Sequence, residues 1–425
     1  MEGNQRVSGA LQQCDLTSVM NEWTEIIEHV LQFLPGASLE VCKRVCRNWK
    51  EIADRILKNR IPKVQPILYG WHREDKSGPS SFKAVKLEGC RQFKDATGER
   101  IQWLPLPPKV TIMFVNNETW EKVSIPMSCE APSNVTPTKS NKKIRWSSYK
   151  LTIEEYINKR LPSNCPILGA VAGGAIGTPM SLGPSLEIES GPGCAIAFIP
   201  EIPGLEVHHF LLPFDYDSEN LPTKEDYENM TGISRDKHIK AMILLQASEY
   251  DVPFDAAHCF WSLNRDIAIA GGKVDNIIAP DLDKKSEDEA CILGIAFSGD
   301  NVQAASVMVE SHIRDPKEVE CQIKKLKDCN ISEENSFAFM FACLGRGYYF
   351  YRKSNVEADI FRKLFPRTPL FGFFGNGETG YNFLPDYSKT DPYVETKNKN
   401  YTFGSFDHGY TTIFCLISVN PTLPV

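Results

Sequence analysis

Two glycine-flanked turns near the C-terminus hold the densest set of side chains able to do chemistry. The run FACLGRGYYFY sets Cys343 at the end of an apolar stretch and Arg346 between two glycines. The run FGFFGNGETG sets Asn376 and Glu378 in a second turn. The apolar stretch before each turn reads as a strand, so both turns fall at strand ends and can share one cleft. Arg346 would there take a carboxylate and Glu378 an ammonium, which suits a small polar ligand such as an amino acid. Alternatively, Arg346 and Glu378 pair with each other and hold the two turns together. A guanidinium close to Cys343 would favour its thiolate, which makes Cys343 the thiol expected to meet a mild alkylator first. No histidine base falls in the same turn, so a cysteine-dependent hydrolase lacks a complete set and no catalytic residue is assigned.

Other motifs dissolve on inspection. Gly375-x-Gly377-x-x-Gly380 has the dinucleotide-binding spacing, but YNFLPDYSK follows it, so no helix N-terminus is available to a phosphate. The chain has no P-loop motif. His208-His209 and His258-Cys259 are sequence neighbours; on a strand they would face opposite ways and chelate poorly. No metal or cofactor is expected.

The elements that must position these turns repeat along the chain. Residues 110–116, 241–247 and 337–347 are apolar strands. Each leads through a helix (151–161, 255–264, 355–365) to a strand that ends in glycines (167–177, 267–276, 369–380), and then to a further strand (194–200, 291–299, 410–419). These are degenerate copies of one strand–helix–strand–strand unit, at spacing too irregular for a solenoid. They predict a layered α/β domain with mixed sheets. A further amphipathic helix is expected over 315–326. Residues 61–109 read as a connector with possible strands at 64–69 and 82–87. Domain halves are expected at 110–265 and 266–425, with surface loops up to about 148 and over 388–399.

Ahead of this lies a segment of different character, residues 20–60. Ile26, Ile27, Val30, Leu31 and Leu34 recur at helical spacing, and Pro35-Gly36 ends the helix. Ser38 restarts one whose apolar stripe is Val41, Cys42, Val45, Cys46, Trp49, Ile52, Ala53 and Ile56. A module this small cannot bury its apolar faces alone, so it leans on a partner chain. The whole is of α+β class: a small helical module followed by the mixed-sheet domain.

Composition bounds the function. At 425 residues the chain holds two or three domains, and 42% apolar residues supply an ordinary core. A net charge of −7 argues against direct nucleic-acid binding; the cluster Lys139, Lys142, Lys143, Arg145 reads as a solvated linker. Thirteen scattered cysteines with no C-x-x-C pair indicate reduced thiols rather than a disulfide framework. The N-terminus has no signal-peptide core, and the uncharged stretch 165–186 is too rich in glycine and proline to span a membrane.

The pattern Leu31-x-Phe33-Leu34-Pro35-x-x-x-Leu39, followed by Val45-Cys46-Arg47-x-Trp49, resembles the F-box, although Glu22-Trp23 stands where that family usually opens with Leu-Pro. The resemblance implies docking on the small adaptor of SCF-type cullin–RING ubiquitin ligases through Leu31, Phe33, Leu34, Pro35, Leu39, Val45 and Trp49. Phe341, Cys343, Arg346, Gly347, Gly372, Gly377 and Glu378 resemble the FIST domain, a presumed sensory module. The two together imply a non-catalytic substrate receptor, cytoplasmic and nuclear, whose FIST part recognises target proteins for ubiquitination and proteasomal degradation. A small-molecule sensor using the FIST cleft is the alternative.

Overall fold

The computed structural model describes residues 24–70, 97–122, 125–126, 150–212, 223–247, 255–280, 292–394, 401–402 and 404–420. The chain divides into two units, Met1–Ile61 with Gln102–Pro107, and Pro62–Ile101 with Pro108–Val425. The expected strand at 82–87, the Lys139–Arg145 cluster and Glu22-Trp23 lie outside the described residues.

The first unit is helical: α1 (Thr24–Leu31), α2 (Gly36–Cys42) and α3 (Arg47–Asn59). Ile27, Leu31, Leu39, Ile52, Ala53 and Ile56 form its core. The single helix expected after Ser38 is two helices. The first ends at Cys42 and gives way to a turn over 43–45, and Cys46 then adopts extended backbone (φ −160°, ψ 173°) as the N-cap from which Arg47 begins the second. Lys43 ties the two together, reaching Glu40 at 2.9 Å and Asp54 at 3.0 Å. Residues 102–107 return from far along the chain to this unit. The Gly36 amide donates to the Leu104 carbonyl at 2.9 Å, and Arg60 donates to the Pro105 and Leu34 carbonyls, each at 2.5 Å. The turn at Pro35-Gly36 is therefore clamped from outside its own sequence.

The second unit contains three mixed sheets. The first runs β1 (Gln65–Gly70), β8 (Gly193–Pro200), β2 (Pro108–Asn116), β5 (Ile167–Ala172) and β12 (Asn276–Ile278). The second runs β18 (Asp407–His408), β17 (Glu378–Gly380), β11 (Ala268–Val274), β10 (Ile239–Ala247), β13 (Ile292–Ser298) and β9 (Glu206–Leu212). The third runs β14 (Val302–Val309), β19 (Thr412–Val419), β15 (Ser336–Cys343), β16 (Leu370–Gly375), β6 (Gly174–Gly177) and β7 (Leu186–Ile188). A short ribbon pairs β3 (Ile125–Pro126) with β4 (Lys150–Leu151).

Each sheet centres on one parallel pair, β2–β5, β10–β11 or β15–β16. The helices that join these pairs are α4 (Ile153–Asn158), α6 (Ala256–Leu263) and α8 (Val356–Leu364). Two further helices, α5 (Lys224–Thr231) and α7 (Pro316–Asp328), precede the second and third copies. A long antiparallel strand, β8, β13 or β19, flanks the first strand of each pair. The strand–helix–strand–strand repeat thus describes all three sheets.

The strands expected to end in glycines each prove to be two strands in two sheets. After β5 the chain crosses to pair β6 with β16; after β11 it pairs β12 with β5; after β16 it pairs β17 with β11. Each copy lends a short strand to another in a closed circuit. Three backbone bonds mark the crossings: Gly173 N to Phe374 O at 3.0 Å, Asp275 N to Val171 O at 2.9 Å, and Asn376 N to Lys273 O at 3.1 Å. The halves 110–265 and 266–425 therefore interlock, and the 61–109 connector contributes both the edge strand β1 and the 102–107 return to the helical unit.

One glycine in each copy is enforced by this pairing. Gly169, Gly271 and Gly372 face Met113, Leu244 and Met340 across the parallel pair. Their φ values are +151°, +153° and +159°, and a Cβ on any of them would lie 1.8 Å from the facing carbonyl oxygen. Phe114 of the first sheet packs on Phe339, Phe341 and Phe373 of the third, with ring centroids 5.6–6.2 Å apart, so the core lies between the sheets.

Candidate functional site

In the helical unit, the residues expected to grip an adaptor fall into two groups. Leu31 and Leu39 are fully buried in the core, and Leu34 and Trp49 pack half-buried against it. Leu31 and Leu39 hold the helices together and cannot meet a partner while the unit is folded, which corrects their expected role. Phe33 is 69% exposed, and Val45 is also open to solvent. Ile26, Val30 and Val41, which sequence reading placed in the apolar stripes, join them in exposure. Ile26, Val30 and Phe33 recur every three or four residues, so α1 and the turn after it carry a second apolar stripe facing out. That spacing was legible in the sequence; which stripe faces inward was not. An ion pair from Arg55 to Glu28 (2.5 Å) fixes α3 to α1.

The C-terminal turns place their residues differently from expectation. Arg346 is 1% exposed. It donates through Nε and Nη2 to one oxygen of Glu357, at 2.9 and 2.6 Å. It also donates to the carbonyls of Glu310, Tyr410 and Ile313 at 3.1–3.2 Å and to the Tyr351 hydroxyl at 2.5 Å. Tyr351 in turn donates to Glu357. Every guanidinium nitrogen is engaged, so Arg346 has no donor left for a ligand carboxylate. Its ionic partner is Glu357 of α8, not Glu378.

Glu378 is buried as well, and accepts from the Thr411 amide (3.0 Å) and hydroxyl (2.7 Å). Burial pushes its carboxyl up to about 7, against the pull of the Thr411 bonds and of the Cys343 thiol beside it. The Cys343 thiol is raised by burial and by the Glu378 charge, only partly offset by the Gly345 and Tyr410 backbone. Arg346 is not among the groups that shift the Cys343 thiol, and its ion pair is with Glu357. Asn376 sits exposed in the turn. The structure brings Cys343 and Glu378 together, leaves Asn376 outside, and puts Arg346 in the frame; the amino-acid cleft loses its carboxylate anchor.

Sequence reading missed the acid that answers Arg346 and a second one behind it. Glu187, in the middle of β7, accepts from the Ala358 amide at the start of α8 (2.7 Å) and is pushed up to about 8 by burial and by the charge of Glu357. Glu189 accepts the Tyr348 amide with both oxygens at 2.7 Å. His208 and His209 lie on β9, whereas His258 and Cys259 lie on α6, and no metal-ligating cluster occurs among the described residues. A groove of about 850 Å³ in the three-sheet unit is lined by Lys109, Glu201, His208 and His209 among others, and by none of the expected cleft residues. No described helix is long and apolar enough to cross a membrane.

The F-box-like family pattern matches residues 24–61, which spans all three helices of the first unit. F-box only protein 22 of Homo sapiens is 31% identical over 413 residues, 94% of each chain. This chain belongs to the F-box only protein 22 family. The protein of that name from Pongo abelii is 29% identical over the same share. Among solved structures, a cyanuric acid hydrolase from A. caulinodans covers 85% of this chain and 99% of its own at 9% identity and a TM-score of 0.32, an overlap too slight to carry an argument. The F-box-like match accounts for the helical unit.

Proposed function

We propose that this protein is the substrate-recognition subunit of an SCF-type ubiquitin ligase, itself without catalytic residues and working in cytoplasm and nucleus. The helical unit docks on the small adaptor, and through it on the cullin and RING subunits. The three-sheet unit, read as a FIST domain, holds target proteins so that their lysines come within reach of the conjugating enzyme, and degradation follows. Its contribution is proximity.

One observation carries the reading. Within the segment that matches the F-box-like pattern, six large apolar side chains (Ile26, Val30, Phe33, Val41, Val45 and Ile61) stand exposed on the helices and the turns beside them, around a core that is complete without them. A solvent-facing stripe of this kind is a binding surface. The test is co-purification of the full chain with the adaptor. Wild type is expected to capture it, and Phe33→Asp with Val45→Asp to lose capture while the melting temperature stays unchanged. A wild-type chain that fails to capture the adaptor overturns the proposal.

A further inference from the structure

A second exposed apolar surface lies in the three-sheet unit, on the loop that Arg346 holds. Tyr349 is 78% exposed and Tyr410 64%, and Leu344 and Tyr348 are also open to solvent. These side chains form one neighbourhood. The rings of Tyr348 and Tyr349 meet edge-on at 5.8 Å. The Tyr410 ring lies against Gly345, where a Cβ would come within 2.9 Å of it. Arg346, below, bonds the Tyr410 carbonyl and the Tyr351 hydroxyl and lies 4.7 Å under the Phe350 ring. Glu189, just past the end of β7, fixes the start of the one-turn helix Tyr348–Tyr351. Tyr410 (φ 59°) and Arg352 (φ 56°) both hold left-handed backbone that a non-glycine residue adopts at a cost. The buried network thus presents a fixed set of aromatic rings, whose ordering cost is met before any partner arrives.

The rim of this surface is cationic. Arg314 stacks over the Phe350 ring at 4.9 Å, and Arg352 and Lys353 follow the one-turn helix; all three are exposed. None of the three makes an ion pair within 4 Å among the described residues; Glu189 and Glu357 are engaged inward, and Asp359 feels the Lys353 charge only from a distance. On a chain of net charge −7, three exposed cations beside exposed tyrosines are a local concentration of positive charge. Tyrosine and arginine are the side chains that dominate protein-binding energetics, and such a rim selects an oppositely charged partner.

We propose that the surface of Leu344, Tyr348, Tyr349 and Tyr410, rimmed by Arg314, Arg352 and Lys353, docks an acidic segment of a target protein that carries apolar side chains. This deepens the receptor reading and rests on it for the word target; the binding itself does not involve the helical unit.

The experiment uses the full chain and three sets of short synthetic peptides, followed by fluorescence anisotropy. One set alternates Asp or Glu with Leu or Phe, one replaces the acids by Lys, and one replaces the apolar residues by Ser. The acidic apolar set is expected to bind, and the other two to bind at least ~10-fold more weakly. Tyr349→Ala and the pair Arg352→Glu with Lys353→Glu are each expected to weaken binding roughly 10-fold or more, with melting temperature and adaptor capture unchanged. Absence of binding by the acidic apolar set, equal binding by all sets, or unchanged binding by the variants overturns the proposal. Peptide binding without adaptor capture would overturn the ligase reading and leave this surface standing.

Discussion

The two units handle apolar and charged groups in different ways. Among the described residues, the helical unit has a core of six buried apolar side chains and leaves seven large ones in water, Ile61 and Trp103 included. The three-sheet unit also exposes a few large apolar side chains, but it takes charge into its interior: Arg346, Glu357, Glu187 and Glu378 are all buried. In the first, the proposed docking role falls to exposed residues, and the buried ones are scaffold. In the second, the residues that looked functional in sequence are scaffold, and the chemistry offered to a partner is carried by the tyrosines they hold in place. A charged residue flanked by glycines is thus a poor guide to a ligand site when a second charge, distant in sequence, waits to meet it.

The contrast can be broken most sharply at the glycines. Gly372→Ala places a methyl group 1.8 Å from the Met340 carbonyl oxygen, which only separation of β15 from β16 relieves. A loss of about 4 kcal/mol or more is expected, read as insoluble protein or a large fall in denaturation midpoint. A variant that melts like wild type would mean the parallel pair is not built as described. Arg346→Met leaves Glu357 buried without its cation and is expected to cost ~3–5 kcal/mol by chemical denaturation. If Arg346 bound a ligand instead, the ligand-free chain would lose little.

The buried acids give the three-sheet unit a pH signature. Glu378 has an ordinary value of 4.5 in the unfolded chain and about 7 in the folded one, so between these the folded chain holds the extra proton. Its contribution to stability is full below the ordinary carboxylate range and lost as pH rises through about 7. Over that window the loss is on the order of 3 kcal/mol, and Glu378→Gln is expected to flatten it in melts taken from pH 5 to 8. An unchanged slope would place the carboxyl in water. The smallest effect belongs to the helical unit, where Phe33→Asp is expected to shift unfolding by no more than ~0.5 kcal/mol, as exposed positions do. A large shift there would make Phe33 part of a core and remove the contrast.

Much of the architecture was legible. The periodicity of the three copies, the helices between their strands and the break at Pro35-Gly36 rest on local chain chemistry, which sequence reports directly. The crossings were not: IAGGKVDN reads as one strand because nothing local says that Asn276 pairs with Val171 while Lys273 pairs with Gln246. Cys46 likewise looked helical until its backbone was seen extended. In the candidate sites, the exposed stripe of Ile26, Val30 and Phe33 has a visible period, but two stripes on one short helix compete and sequence ranks them poorly.

By itself the sequence determined the kind of protein: a small helical module whose motif places it in a family, then three copies of one α/β unit with glycine at each strand end. These follow from periodicity, turn chemistry and motif spacing, all short-range properties. Tertiary structure alone decided what the charged residues do. Arg346 meets Glu357 and not Glu378 because the one-turn helix and α8 fold back over the strand end, bringing that acid within 2.6 Å. A buried charge takes the partner that packing delivers, since leaving it unpaired away from water costs more than any local preference can offset.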